Sequence, residues 1–428
     1  MDKRFCVNCG TQLKDNAKFC TECGVQVVHP LPPLQPSPVP KSYRTHFFVA
    51  LAYCVVVSIL AVVLLFAFGN DNGQNEQLIE TPTPQPAATP TPEPEPTPMV
   101  FPEYITIRGQ QHSTELTWLN LARQELRDED IVPLRYMVNL WRLDLSDNQI
   151  SDISPLKNLP NLTELVLWGN NINDLSQFTF FTRLNELWLG HHQINDLSPI
   201  TTLTNLEILS LGSSGIRDIS PLAYLTNLRF LLLNDNEISD LTPLLSLANL
   251  RTLTLCENPI SDFSLLSYLT SLEDLTIARA GFYDLTPLMS LTNLSVLNMW
   301  DNGISDITPL ANLTNLERLG LSWNQVEDIS PLENITGLLA LHLSGNRVRD
   351  ISPLANLTSL ADLSLDDNYI SDLTPLENLI DLNALWLSDN QISDISPLRN
   401  LENLEWLLLW GNEITDWSPV YHVETVFD

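Results

Sequence analysis

Leucine recurs along most of this chain at a constant step. From Leu140 through Leu162 and Leu184 to Leu404 the interval is 22 residues every time, giving thirteen units without an insertion. One unit reads LWRLDLSDNQISDISPLKNLPN (140–161). Its LxL run alternates, so Leu143 and Leu145 are expected to point inward while Arg142, Asp144 and Ser146 point out, the period of a short strand. Asn148 and its equivalents end the strand, where a side-chain amide can satisfy backbone groups of neighbouring turns. Ser154-Pro155 predicts an N-cap followed by a proline at the first helical position. Leu156 and Leu159 then lay the apolar edge of a short turn on the core. A 24-residue forerunner starting at Leu116 predicts one more unit before the regular thirteen. Such units cannot bury their apolar faces alone and must stack. The expected fold is an α/β-type repeat solenoid, with a concave parallel β-sheet and short convex 3-10 turns.

The unit, LxxLxLxxNxI followed by DIxPLxxLxN, is that of a leucine-rich-repeat horseshoe, and its DIxPL segment resembles the internalin-type bacterial repeats. Residues Tyr104 to Asn139 (YITIRG…LRYMVN) are similar to the cap of secreted Firmicutes proteins with such repeats. The resemblance covers residues 100–428, divided as a cap with an atypical first repeat (100–139) and the thirteen repeats (140–428). It implies protein binding or adhesion through the concave face. Some positions depart from the pattern: the Asn column holds His192, Ser214 and Ala280, the Pro position holds Gln177 and Leu265, and no wall-sorting motif precedes the final VYHVETVFD.

A second pattern lies upstream. Residues 47–68, FFVALAYCVVVSILAVVLLFAF, carry no charge and as a helix would span about 33 Å, enough to cross a bilayer core. A cleaved signal peptide fits less well, because 46 residues precede the run and no small-x-small cleavage site follows it. The formal net charge of −31 divides around this stretch: residues 1–46 hold six basic and three acidic residues, whereas residues 69–428 hold 15 basic and 49 acidic ones. Lys41 and Arg44 precede the run directly, so the positive-inside rule places the N-terminus in the cytoplasm and the repeats outside, in a bacterial cell membrane crossed once. Proline-rich linkers flank it at 29–46 and 69–99. Thr81 to Pro98 has eight prolines in 18 residues and as polyproline II would extend about 55 Å. The acidic balance argues against a nucleic-acid partner, which needs a basic face.

At the N-terminus (1–28), Cys6-x2-Cys9-Gly and Cys20-x2-Cys23-Gly form two knuckles. Four thiolates at this spacing suit one structural Zn²⁺ in tetrahedral geometry, with no open position for catalysis. A disulfide pair or a redox CxxC fits less well with a cytoplasmic location and a doubled knuckle. Residues 5–24 resemble the short zinc ribbon of many prokaryotic membrane proteins. So small a module would draw its folding energy from the metal, and its cytoplasmic partner is unknown.

The outward positions of the strands are where recognition could lie. Trp168, Trp188 and His191 are expected to form one patch, Trp300 and Trp323 a second, and His342, Trp386, Trp406 and Trp410 a third. Such rings suit protein hot spots or sugar stacking, although cross-strand cover of the sheet would also use tryptophan. Glu164 and Glu186 in adjacent turns, with Asp235, Glu257, Asp274, Asp301, Asp362, Asp366, Asp367 and Asp389, interleave with the rings and favour a cationic or non-acidic ligand. Cys256 falls on an outward position and is expected to carry a thiol rather than a bridge. His191-His192 would be a poor chelate, since neighbours on a strand point to opposite faces. The Asp152 column, Asp in all thirteen units, invites calcium, but it lacks the clustered ligands of a calcium loop and suits local backbone bonds better.

No nucleophile–base pair, phosphate-cradling loop or close carboxylate pair is recognisable, so no enzymatic activity is expected. The functional expectation is a membrane-anchored envelope protein that binds a macromolecule, a protein first, on its concave outer face. A carbohydrate- or cell-wall-binding module, and a transmembrane sensor signalling through the zinc ribbon, are the alternatives.

Overall fold

A computed structural model of the chain describes residues 102–427. The four proposed zinc ligands, the apolar stretch 47–68 and both proline linkers lie outside them. Among the described residues no helix is long and apolar enough to cross a membrane.

The repeat domain opens on an antiparallel hairpin, Tyr104–Ile107 with Gln110–Ser113. Its two-residue turn, Arg108-Gly109, has both residues at positive φ, the twist that lets adjacent strands pair without splaying. Ile105 and Ile107 from this hairpin, with Ile131 and Leu134 from the helical turns Asp128–Ile131 and Val132–Tyr136, seal the first end of the core. Fifteen parallel strands of three residues follow in sequence order, from Trp118–Asn120 to Thr425–Phe427. Each strand pairs with the next without slippage: Leu143 faces Leu165, Leu165 faces Leu187, and so on. Equivalent positions therefore form straight rows across the sheet.

The inward rows are leucine and isoleucine from every turn, almost all fully buried. Each such side chain contributes roughly 1.5–3 kcal/mol, and contacts run mainly to the neighbouring turns, so stability accumulates along one dimension. The forerunner is confirmed as a repeat, since Trp118–Asn120 pairs in register with Arg142–Asp144. The C-terminal strand Thr425–Phe427 was not anticipated, because its 19-residue offset from Trp406 breaks the period.

The side opposite the sheet carries 3-10 turns such as Ser154–Leu156 and Ser198–Thr202. The capping group differs from the expectation. Ser154 is the first residue of its turn and not the cap; the carboxylate of Asp152 accepts its N–H at 2.8 Å. The same Asp-to-amide bond recurs in all thirteen units. The Asp column is thus engaged by local backbone, as its spacing suggested.

Candidate functional site: the outer face of the sheet

Two rows of strand side chains point away from the core, one beginning Trp118, Arg142, Glu164, Glu186 and the other Asn120, Asp144, Val166, Trp188. Behind them the chain turns sharply. The residue that follows each strand exit, Asp147 and its equivalents, has positive φ in all thirteen units, and ten of these are not glycine. Asparagine holds the turn from inside. In one unit Asn170 Nδ2 donates to Leu145 O and Leu167 O, both at 2.8 Å, while Oδ1 accepts the Ile150 N–H at 3.0 Å.

His192 substitutes for this asparagine. Its Nδ1 accepts the Ile172 N–H at 3.3 Å and its Nε2 donates to Leu167 O at 3.1 Å. These partners assign a neutral ring with its proton on Nε2, and burial keeps the His192 pKa below the ordinary histidine value. Its neighbour His191 is exposed, so one ring is open to solvent and the other enclosed. His191 and His192, with Asn171, Asn173, Gln193 and Ser213, border an open polar cavity of about 630 Å³.

Of the first patch, Trp168 and His191 stand together. The Trp168 and His191 rings are tilted with centroids 6.3 Å apart. Glu164 and Glu186 stand side by side on adjacent strands. Arg142 pairs with Glu164 at 3.1 Å, and the Trp188 indole donates to Glu186. Burial raises the Glu164 pKa, with Arg142 opposing. Burial, and then the like charge of Glu164, push Glu186 up to about 7. Glu164 itself is nearly enclosed, which leaves Glu186 as the more accessible of the two.

The second patch is only half present. Trp323 is 43% exposed and lies against Gly345, where an added Cβ would come within 2.5 Å of its ring. Trp300, expected beside it, is 8% exposed. At that exposure it covers the face and offers little surface. Cys256 occupies the same row; it is buried, and it forms no disulfide, as expected.

The third patch spreads over four strands. Trp406 and Trp410 are 48% and 49% exposed. Trp386 is half-buried on the preceding strand, two strands beyond His342. His342 Nε2 lies 3.3 Å from Asp362 Oδ1. Asp235, Asp301, Asp367 and Asp389 are exposed at the strand exits, whereas Asp366 accepts the Ser388 N–H and serves the fold.

Trp118 was missed, although it is 58% exposed and heads the first outward row. The signal was available: Leu119 aligns with Leu143, so Trp118 aligns with Arg142. Exposed Trp141 lies just before the next strand. Among the described residues no group of three or more His, Cys, Asp or Glu side chains converges as a metal site.

Residues 138–180, 182–224, 292–334 and 336–378 match the family of leucine-rich repeats in two copies, and residues 5–24 match a zinc-ribbon domain. No curated protein matches the chain. An internalin (inlF) from Listeria monocytogenes is similar at 34% identity and TM-score 0.58, over 75% of this chain and 90% of that one. A leucine-rich-repeat protein from Leptospira interrogans is similar at 23% identity and TM-score 0.65, over 73% of this chain and 84% of that one. The ectodomain of the Arabidopsis thaliana receptor kinase GASSHO1/SCHENGEN3, in complex with CASPARIAN STRIP INTEGRITY FACTOR 2, shares the fold at 23% identity and TM-score 0.51, over 72% of this chain and 43% of that one. With its unbroken 22-residue units and this similarity to an internalin over three quarters of its own length and most of the internalin's, the chain belongs to the internalin-like leucine-rich-repeat proteins.

Proposed function

We propose that the repeat domain binds a protein partner on the outer face of its sheet, and that the chain presents this domain on the outside of a bacterial membrane. The observation that carries the reading is the concentration of half-exposed tryptophans and exposed acids on that one face, on a backbone fixed from behind. Large amphipathic rings at rigid positions are the composition of binding hot spots. The acids among them suit a partner with a basic or neutral surface.

The N-terminal part of the proposal rests on sequence. Residues 47–68 anchor the chain in lipid, with residues 1–46 in the cytoplasm and the repeats outside. Cys6, Cys9, Cys20 and Cys23 hold one structural Zn²⁺; two pairs of thiols two residues apart are a donor set that fits this metal.

A photo-crosslinking residue placed in the full chain at Trp410 or Trp188, and separately at Glu377 on the opposite side, tests the binding face in the protein's own cells. Protein adducts from the first two positions and none from the third are expected; adducts only from Glu377 would overturn the reading. Protease added to intact cells should remove the repeats and leave residues 1–46 protected, and the reverse pattern would invert the topology.

A further inference from the structure

The middle of the sheet face is unlike its ends. Over five consecutive strands, from Ile208–Ser210 to Val296–Asn298, the outward positions are Ile, Ser, Phe, Leu, Thr, Val and Asn, with one charged exception, Asp274. Its Oδ1 is shut off from solvent and accepts no hydrogen bond, and Thr254 Oγ1 on the adjacent strand is equally without a partner. Thr252 and Val296 flank Asp274 on either side and offer it no charge.

The nearest cations do not fill the gap. Arg318 stands two strands away and makes no ion pair with Asp274, although its charge is felt there. Arg251 is paired with Glu273 where the strands begin, and Arg279 lies between Glu257 at 2.9 Å and Asp301 at 3.6 Å where they end. Burial pushes the Asp274 pKa up to about 6, with Arg318 opposing. A carboxylate with one oxygen dehydrated and unpartnered disfavours the folded state. No hydrogen bond or ion pair ties its buried oxygen to the neighbouring strands. The residue is not fully enclosed, and its carboxylate becomes favourable once a cation reaches the accessible edge.

We propose that Asp274 is the anchor acid of the sheet face: it receives the basic side chain of a lysine or arginine from the bound protein. Phe230, Leu232 and Val296 line the approach for the aliphatic stem, as long basic side chains prefer. The proposal rests on the protein-binding reading above and assigns the chemistry that the partner must present.

Selection of a displayed library of randomised peptides on the full chain at pH 7.5 tests it. Enriched peptides should contain lysine or arginine and should bind Asp274→Asn at least tenfold more weakly. Replacing their basic residue by norleucine or citrulline should weaken binding to the wild type by a similar factor and have no further effect on Asp274→Asn, the mark of a direct pair. The thermal midpoint of Asp274→Asn should equal or exceed that of the wild type, because a dehydrated charge is gone. A lower midpoint would show that Asp274 has a structural partner and would overturn the proposal. So would peptides that bind both proteins equally while Thr276→Arg, which fills the same face, abolishes their binding; that result leaves the sheet-face reading standing. Binding insensitive to both variants, or no enrichment at all, overturns the two together.

Discussion

The two sides of the solenoid use the same chemical group in opposite ways. On the 3-10 side, hydrogen bonds from the amide and hydroxyl of the Ser or Thr two residues on hold the carboxyls of Asp174, Asp240, Asp306 and Asp328 below the usual range. On the sheet side, burial raises Glu164, Glu186 and Asp274 above it. One set is repeated in every unit and satisfied by the chain itself. The other differs from strand to strand, and Asp274 is left with an unmet acceptor. An acid that the fold satisfies serves the fold, whereas an acid that the fold leaves short is available to something else.

Substitutions can sharpen or break this contrast. The largest effect is expected at the seam between the two sides. Asn324 Oδ1 accepts the N–H groups of Asn302 and Ile304 at 3.0 Å, and its Nδ2 donates to Met299 O and Leu321 O. Asn324→Ala strands these buried groups and should cost about 3 kcal/mol in urea unfolding. Gly345→Ala follows: φ there is +68° and the new Cβ meets the Trp323 ring, so a loss of about 2 kcal/mol should accompany altered Trp323 fluorescence. Asp328→Ala removes one cap and should cost about 1 kcal/mol. A loss as large as that of Asn324→Ala would erase the distinction between cap and seam.

The pH dependence should differ in sign between the two sides. Asp328 has a lowered folded pKa, so its contribution is present above its ordinary value of 3.8 and is lost as pH falls below that. Glu186 titrates near 4.5 unfolded and about 7 folded. The folded state therefore binds the extra proton, and stability declines as pH rises through that window. Unfolding of Glu186→Gln followed across the same window should show a flatter decline; an unchanged slope would mean that Glu186 is hydrated after all. The smallest effect on stability is expected for Trp406→Ala, within about 0.5 kcal/mol, although partner binding should fall clearly.

The sequence made the fold legible because every structural demand repeats. A leucine that must face the core does so at one position thirteen times, and the period exposes it. The cap was misassigned to Ser154 because Ser-Pro and Asp-x-Ser occur in the same unit, and only geometry shows which side chain reaches the amide. Recognition residues do not repeat, so their row could be read while their exposure could not. Trp300, Trp323 and Trp410 all lie at strand exits, yet the first is covered and the other two are open. Asp274 could be placed on the face, but its missing partner is a matter of what its neighbours fail to reach.

The left-handed residue that follows each strand exit has a consequence for the cost of binding. His191, Asp301 and Trp323 sit at φ of 62°, 54° and 60°, in a narrow well that the inner asparagine row keeps closed. A ligand that docks on such positions has little backbone freedom left to quench. Conformational entropy that a flexible loop would surrender on association has here already been lost when the solenoid folded, and it is absent from the free energy of the encounter.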